Sequence, residues 1–366
     1  MMRAALKTVI ALATGILVLS PLSPSAQGGP GVAFFVVEGA RRVDVTIDGR
    51  PFTSYIHPES IKKPVLFPIR TARGTLVTRG FPLEPRKGER VDHPHHVGLW
   101  FNYGDVNGLD FWNNSTDIAP ARAPKMGTIE HKRVVEAKGG RDRGDLVVES
   151  EWRHPDGHAL LVERTHYIFR GSGDTRSIER VTTLTAQKEP VVFRDNKEGV
   201  LGLRVARALE QPADKPETFT DASGQPSKVP VLDNTGVTGQ YTSSEGLKGD
   251  AVWGTRGRWT MLNGTVESEP VTLAILDHPS NTGFPTYWHA RGYGLFAANP
   301  LGRKVFDPKQ PEFVVTLDPG KSLTFRHRVL VLGQAATPDA IEREYQAFAA
   351  VQSSAVRSVS GLANPR

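Results

Sequence analysis

The sequence predicts an all-β protein, built as a large antiparallel β-sandwich with few short helices. Glycine (36 residues) and proline (27 residues) are frequent, which favours many turns over long helices. Short runs of β-branched and aromatic residues recur between these turn residues, and several runs alternate apolar and polar side chains. Strands and turns at this spacing are typical of antiparallel sheets that pack face to face.

Each element has its own sequence signal. Residues 42–47 alternate apolar and polar side chains, and the Asp-Gly pair at 48–49 then supplies a hairpin turn. Pro-Asp-Gly at 155–157 predicts a second hairpin. One helix is expected to run to Val351, because Thr337 suits an N-cap and Pro338 suits the first helical position. The predicted strands cover residues 32–38, 42–47, 146–152, 160–169, 177–184, 190–194, 270–276, 312–317 and 322–332.

The N-terminus has the pattern of an export signal. Arg3 and Lys7 precede an uncharged apolar run over residues 8–19, and small residues follow before position 27. We therefore expect a signal peptide over residues 1–26, a β-sandwich domain over 30–335, and a C-terminal helix with a flexible tail over 336–366. The expected location is periplasmic or secreted. The alternative is an uncleaved anchor that holds the same domain outside the membrane.

Composition and charge exclude several partners. The formal net charge of +6 is modest, and no long Lys/Arg tract is present, so nucleic acid is not an expected partner. No later stretch of the sequence approaches the roughly 18 apolar residues of a membrane span, so no membrane contact is expected after signal removal. The sequence contains no cysteine, which excludes disulfides and thiolate metal sites.

A histidine-rich segment is the first candidate for chemistry. Three of the eleven histidines, His93, His95 and His96, fall within four residues. Imidazole titrates nearest neutrality and is the commonest metal ligand, so His95 or His96 could act as a general acid or base. In an extended strand His93 and His95 would share a face and could hold a divalent metal. However, Pro94 interrupts the strand and no glutamate follows at cupin spacing.

Two further clusters complete the candidate site. A Lys-Glu step at a strand end suits proton transfer, which makes Glu198 the preferred general base with Lys197 or Arg204 as its electrostatic partner. The third cluster places His289 and Arg291 among aromatic residues, a combination typical of sugar binding. The predicted catalytic residues are His95, His96, Glu198 and His289. The predicted substrate-binding residues are Trp100, Asp105, Asn107, Trp112, Lys197, Arg204, Trp288 and Arg291, with Trp100, Trp112 and Trp288 as stacking surfaces.

Together these motifs resemble the DUF6807 family over nearly all of the expected mature chain, from about residue 32 to residue 334. The motifs that carry the resemblance are Asp92-His93-Pro94-His95-His96-x-Gly98-Leu99-Trp100, Gly104-Asp105-Val106-Asn107-Gly108, Phe111-Trp112, Lys197-Glu198-Gly199, Arg204 and Trp288-His289-x-Arg291-x-Tyr293-Gly294-Leu295-Phe296-Ala297-Ala298-Asn299-Pro300. The resemblance implies an exported bacterial protein from a carbohydrate-degrading setting, with a fold similar to the galactose-mutarotase β-supersandwich. The family often carries the label PmoA, a methane oxygenase subunit. A membrane copper oxygenase needs transmembrane helices, and this sequence offers none beyond its N-terminal apolar run.

The sequence therefore predicts an exported enzyme that acts on a sugar or glycoside by His/Glu acid–base chemistry. Hydrolysis, elimination and epimerisation all remain open. Glu198 would be the base and His95 or His96 the acid, while His289 and Arg291 hold the substrate. No cofactor is required, although a divalent metal stays open. The alternatives are a non-catalytic carbohydrate-binding protein and a cupin-like metal-dependent enzyme.

Overall fold

A computed structural model describes residues 29–351 of the chain. The predicted signal peptide over residues 1–26 and the tail beyond residue 351 lie outside the described residues. The strands are β1 (Val32–Val37), β2 (Arg42–Ile47), β3 (Arg50–Ile56), β4 (Val65–Leu66), β5 (Leu99–Tyr103), β6 (Thr128–Lys138), β7 (Gly144–Arg153), β8 (Ala159–Ser172), β9 (Thr175–Ala186), β10 (Val191–Phe193), β11 (Gly199–Arg204), β12 (Gln240–Ser243), β13 (Arg256–Gly257), β14 (Trp259–Val266), β15 (Glu269–Asp277), β16 (Thr286–Arg291), β17 (Leu295–Asn299), β18 (Val315–Leu317) and β19 (Ser322–Leu332). Short 3-10 turns cover Glu38–Ala40, Pro120–Lys125, Arg207–Leu209 and Gly249–Val252, and the α-helix α1 covers Pro338–Ala349.

Two large sheets form the sandwich that the sequence predicts. A nine-stranded sheet has the order β1-β2-β3-β4-β5-β11-β17-β16-β13, and an eight-stranded sheet has the order β12-β14-β15-β19-β9-β8-β7-β6. Strands β10 and β18 form a separate antiparallel pair. The paired strands that flank the candidate site are antiparallel, as the hairpin signals require. The expectation of an antiparallel β-sandwich is therefore confirmed.

The main hydrophobic core lies between the two sheets. Strand β5 shows how it is built, because Leu99, Phe101 and Tyr103 face this core while Trp100 packs in a separate cluster. Alternation of this kind follows from the two-residue period of a strand. The separate cluster is on the opposite, outer face of the nine-stranded sheet, and this face carries the candidate site.

The predicted helix is present as α1. The Thr337 hydroxyl accepts a hydrogen bond from the backbone of Ala340, and a proline occupies the first turn, as expected for an N-cap signal. Ile341, Tyr345 and Phe348 are buried at helical spacing and pack on the outer side of the eight-stranded sheet. The helix thus covers the sheet that does not carry the site.

Candidate functional site

The outer face of the nine-stranded sheet contains a row of four residues on neighbouring strands. Strand register pairs Trp100 with Gly202, Gly202 with Ala297, and Ala297 with His289. Register partners project to the same side of a sheet, and neighbouring strands are ~4.8 Å apart, so the two ends of the row are about 14 Å apart. The two middle positions hold small residues that are themselves buried, because the Trp100 ring packs over Gly202.

The histidine-rich segment forms a tight turn at one end of this row. The amide of His96 donates a 2.9 Å hydrogen bond to the carbonyl of His93, and His93 has a φ of +44°. The expectation that an extended strand aligns His93 and His95 on one face is wrong, because Pro94 and the left-handed His93 bend the chain. Buried Arg79 holds the turn by donating to the carbonyls of His93 (2.9 Å) and His96 (3.1 Å).

Asp92 ties this turn to strand β11. Its Oδ1 accepts hydrogen bonds of 2.6 Å from both Arg79 and Arg204, and its Oδ2 lies 2.7 Å from Nδ1 of His93. Although partial burial opposes ionisation, the neighbouring Arg204, His93 and Arg79 hold the pKa of this carboxyl well below its usual range. With three partners, Asp92 is an anchor for the turn and not a free proton acceptor.

His95 and His96 are neutral at physiological pH. Burial, followed by the charge of Lys63, lowers the pKa of His95 to about 2, and burial with the neighbouring His95 and Arg204 lowers that of His96 strongly. Neither residue can supply an imidazolium acid near pH 7, contrary to the acid role expected for them. The cations that depress these pKa values also repel a divalent metal, which weighs against the cupin-like alternative at this segment.

The predicted stacking surfaces are not open to a ligand. Trp100 and Trp112 are fully buried, and the His96 ring stacks on Trp100 at 5.1 Å, so both indoles form a floor beneath the histidines. Trp288 lies on the other face of its strand, in the core between the sheets, 6.1 Å from the ring of Phe296. The stacking role expected for these three residues is therefore corrected. The side of the sheet on which Trp288 lies is set by the register of its strand, which the sequence alone does not reveal.

Glu198, Lys197 and His289 form the other end of the row. The Glu198 carboxylate lies 3.7 Å from Nδ1 of His289 and forms an ion pair with Lys197. Within 4.0 Å the histidine partner of Glu198 is thus His289, not the His95 or His96 expected from sequence. Nδ1 of His289 is 3.0 Å from the Lys197 carbonyl, which can only accept, so this nitrogen carries the hydrogen and Nε2 has a lone pair. Burial, then Lys197, lowers the pKa of His289 to about 3.

Tyr293 joins the two ends. Its ring stacks on His93 at 5.0 Å, and the Arg204 guanidinium lies 5.0 Å from the ring centre. Burial raises the pKa of Tyr293 to about 12, and Glu198 contributes to that rise. His93 in turn contributes to the low pKa of His289. The histidine turn and the Glu198–His289 pair therefore share one region of the face.

Arg291 lies at the exposed rim of this region. Its guanidinium is 5.3 Å from the Trp253 ring and 6.0 Å from the Tyr293 ring. A cation on two aromatic faces remains free to donate hydrogen bonds outward. The predicted position of Arg291 beside His289 is consistent with a contact to substrate.

Asp105 and Asn107 shape a loop and do not join the site. The Asp105 carboxylate accepts from the amide of Gly108 (3.0 Å), and Asn107 has a φ of +54°. The Asn107 amide group bonds the backbone of Val192 (2.7 Å) and Pro190 (3.1 Å). Their polar atoms form hydrogen bonds to the backbone of their own turn and of the adjacent segment, as those of Asp and Asn commonly do. The substrate-binding role expected for both residues is not what their contacts provide.

Two buried cations belong to the site but escaped the sequence prediction. Lys63 donates a 2.7 Å hydrogen bond to the carbonyl of His95, and burial lowers its pKa to about 7. Arg79, only 1% exposed, holds the histidine turn. The sequence signal for such a residue is a charged side chain next to an apolar run, as in Leu76-Val77-Thr78-Arg79. A charge in that position is seldom buried without a partner, so it indicates a paired, buried cation.

An open cleft lies beside His289. It has a volume of about 650 Å³ and is lined by Gly254, Arg256, Tyr287, Arg303, Phe306, Asp307 and Gln310. The Phe306 ring is 6.2 Å from that of His289 and stacks on Tyr287 at 5.2 Å. A cleft of this size can admit a small ligand, since small-molecule sites commonly span about 300–1,000 Å³.

Solved structures similar to this chain share little sequence with it. The galactosidase domain of an alpha-galactosidase-sucrose kinase is 9% identical, with 81% of this chain and 41% of that chain covered and a TM-score of 0.38. A beta-arabinopyranosidase is 11% identical, with coverage of 83% and 38% and a TM-score of 0.31. A galactose mutarotase-like protein from Clostridium acetobutylicum is 9% identical, with coverage of 82% and 98% and a TM-score of 0.33. The chain spans about two fifths of the length of the two glycosidases.

A comparison with curated proteins gives no match. Within residues 29–351, no helix is both long enough and apolar enough to cross a membrane. A model of DUF6807, described as a family of unknown function, matches residues 42–346, and this description gives no support to the PmoA label. The chain belongs to the DUF6807 family.

Proposed function

We propose that this protein is an exported enzyme that transfers protons on a sugar or glycoside at the outer face of the nine-stranded sheet. The observation that carries the proposal is the contact between Glu198 and His289, 3.7 Å apart, beside a turn of neutral histidines and a protonated tyrosine. Groups that differ in pKa and share one site are typical of acid–base catalysis.

Glu198 is the proton acceptor in this proposal. It forms an ion pair with Lys197 and lies beside His289 at the end of the row. The lone pair on Nε2 of His289 accepts a hydrogen bond from a substrate hydroxyl. Tyr293, with a pKa of about 12, stays protonated and is suited to donate a hydrogen bond or a proton.

The carboxylate arrangement favours proton transfer over two-carboxylate hydrolysis. Glu198 is paired with one exposed lysine, Lys197, whereas Asp92 is held by two buried arginines, Arg79 and Arg204. A standard glycosidase mechanism needs two carboxylates that both reach the glycosidic bond. Elimination and epimerisation need only one base and one acid or hydrogen-bond donor at a carbon or hydroxyl.

A neutral polar ligand with many hydroxyls matches the surface chemistry. Hydrogen-bond acceptors and donors come from His289, Tyr293 and Arg291, while the cleft beside them presents the aromatic faces of Tyr287 and Phe306. Aromatic faces with a few convergent polar groups are typical of small-molecule binding. These residues, rather than the buried indoles, are the proposed stacking surfaces.

A substrate screen with matched variants tests this function. The mature protein is incubated with a panel of free sugars and glycosides, including uronates, and products are followed by NMR in D₂O, which detects both new sugars and proton exchange at carbon. Glu198→Gln should lower kcat by about 10²–10⁴-fold while preserving ligand binding. Glu245→Gln is the control, because this exposed carboxylate contacts only Ser244. Wild-type activity in Glu198→Gln, or sugar binding without turnover or exchange, would contradict the enzyme assignment.

Export is a separate part of the proposal. It rests on the charged and apolar pattern of residues 1–26. Expression of the full chain in a Gram-negative host, followed by fractionation and N-terminal sequencing, should yield a shortened protein in the periplasm or medium. A full-length cytoplasmic product would contradict export and leave the enzymatic proposal in place.

A further inference from the structure

The turn between β7 and β8 brings two histidines and a carboxylate together, far from the site described above in sequence and on the other sheet. The amide of His154 donates to the carbonyl of His158 (3.0 Å), and that of Gly157 donates to the carbonyl of His154 (2.9 Å). Gly157 has a φ of +98°, a conformation that glycine adopts readily. The backbone therefore fixes both histidines at the two ends of one tight turn.

The ring nitrogens of this turn converge. Nδ1 of His154 lies 3.1 Å, and Nδ1 of His158 lies 2.6 Å, from the same Oδ1 of Asp156. The donor atoms of these three residues lie within 4.8 Å of one another, the one such group among residues 29–351. Nδ1 of His154 also accepts a hydrogen bond from the Asp156 amide (3.2 Å), so it carries a lone pair. Two imidazole nitrogens and a carboxylate are ligands that Zn²⁺ prefers.

A fourth residue orients the ligands. Nε2 of His158, the nitrogen that points away from Asp156, lies 3.1 Å from the carboxylate of Glu189. A carboxylate that takes the Nε2 hydrogen leaves Nδ1 free for a metal, an arrangement that commonly supports metal-bound histidines. Glu189 belongs to the connection between β9 and β10, so this contact also joins two loops.

The electrostatic surroundings differ from those of the histidine-rich segment at residues 93–96. There, Lys63, Arg79 and Arg204 depress the histidine pKa values. Here, two carboxylates, Asp156 and Glu189, lie 2.6 Å and 3.1 Å from the ring nitrogens of His158. A negative potential attracts a divalent cation, whereas a positive one repels it. Of the two histidine clusters, the one in the β7–β8 turn is therefore suited to a metal ion, and the one at residues 93–96 is not.

We propose that His154, Asp156 and His158 bind one divalent transition metal ion of the Zn²⁺ class, with Glu189 positioning His158. Three protein ligands leave one coordination position for water. The bound ion would replace the hydrogen bond between His158 and the Asp156 carboxylate, and the one that Nδ1 of His154 accepts from the Asp156 amide. It would also join the β7–β8 turn, through Glu189, to the loop that precedes β10.

Calorimetric titration with ZnCl₂ tests the site. The mature protein is prepared without a histidine tag and stripped with EDTA. We expect one Zn²⁺ per chain at micromolar affinity. His154→Ala with His158→Ala should weaken binding at least 100-fold, and Glu189→Gln about 10-fold, because a lost orienting carboxylate commonly costs 10–100-fold. The matched control is His166→Ala, a histidine on β8 bonded to the single carboxylate of Asp145 at 2.7 Å. The Zn²⁺ affinity of His166→Ala should equal that of the wild type.

Two outcomes would overturn the site. One is the absence of Zn²⁺ binding up to 100-fold above the protein concentration in the wild type. The other is unchanged binding in the double variant. Because these exposed turn residues have few packing contacts, circular dichroism should confirm that each variant is folded. Absorption of the Co²⁺-substituted protein between about 500 and 650 nm gives a second readout, and bands that persist in the double variant would also contradict the assignment. None of these results bears on the sugar site.

Discussion

Arg204 and Asp92, separated by 112 positions in the chain, meet in a 2.6 Å hydrogen bond on the outer face of the nine-stranded sheet. Arg204 is fully buried at the end of strand β11, and Asp92 opens the histidine turn. Buried charges need partners, so this contact fixes where the turn sits on the sheet. The candidate site depends on that placement, because the turn then lies beside Tyr293.

Removing Asp92 should destabilise the fold. In Asp92→Ala, the buried guanidinium groups of Arg79 and Arg204 lose their shared carboxylate, which should cost about 3 kcal/mol in the free energy of unfolding. Urea denaturation followed by circular dichroism measures this change. Glu59→Ala is the control, because its ion pair with Arg41 is exposed (82% and 50%) and should contribute less than about 1 kcal/mol. Equal stability of the two variants would contradict the anchoring role.

Gly202 should not tolerate a side chain. A Cβ at this position would lie 2.4 Å from the Trp100 ring, which fills the space above the glycine. Gly202→Ala is therefore expected to lose about 2 kcal/mol through overpacking. Gly39→Ala, with no heavy atom within 4 Å of the added carbon, should change stability by less than about 0.5 kcal/mol. A thermal melt that shows Gly202→Ala as stable as the wild type would mean that Trp100 is not packed there.

The neutral His289 predicts a loss of stability in acid. Its pKa is about 3 in the folded protein and about 6.5 in the unfolded chain, so between these values the unfolded state binds more protons. The free energy of unfolding therefore falls as pH decreases from 6.5 to 3, by about 1.4 kcal/mol per pH unit for this one residue.

His289→Asn should flatten that slope. Denaturation midpoints measured at half-unit pH intervals give the test. His158→Asn serves as the control, since the pKa of His158 is raised by Glu189 and Asp156 and its loss leaves the acid slope in place. If the wild type and His289→Asn show the same slope, His289 is not held neutral.

The low pKa of Lys63 predicts that the free energy of unfolding changes with pH above pH 7. Burial lowers its pKa to about 7, against about 10.4 in an unfolded chain, so the unfolded state binds more protons between these values. Stability should therefore rise from pH 7 towards pH 10 in the wild type. Lys63→Met keeps an apolar stem of similar length and should remove this rise. A rise that persists in Lys63→Met would assign it to another group.

Tyr293→Phe should separate binding from folding. Phenylalanine keeps the ring that stacks on His93 and lies beside Arg204, so the free energy of unfolding should change by less than about 1 kcal/mol. Loss of the hydroxyl should weaken any sugar ligand about 10-fold, because a hydrogen bond to substrate is lost. Calorimetric titration with a sugar found in the substrate screen measures this. Unchanged affinity would remove Tyr293 from the binding site.

The sequence predicts strand positions well where apolar and polar residues alternate and β-branched residues are frequent. Residues 322–332 and 42–47 were predicted with the bounds that β19 and β2 have. The centre of the nine-stranded sheet was not predicted, because β11 contains Gly199 and Gly202 and lacks the usual strand composition. Its glycine at position 202 makes room for Trp100, so tertiary packing outweighed local propensity.

The sequence by itself determined the β-sandwich, the C-terminal helix and the three candidate clusters, because hydrophobic period, turn residues and residue type are local properties. Only the tertiary structure decided which residues of these clusters contact one another. Strand register brought Glu198 to His289 and turned Trp288 into the core, while burial among cations made His95 and His96 neutral. Register and desolvation depend on residues far apart in the chain, and for that reason no local pattern encodes them.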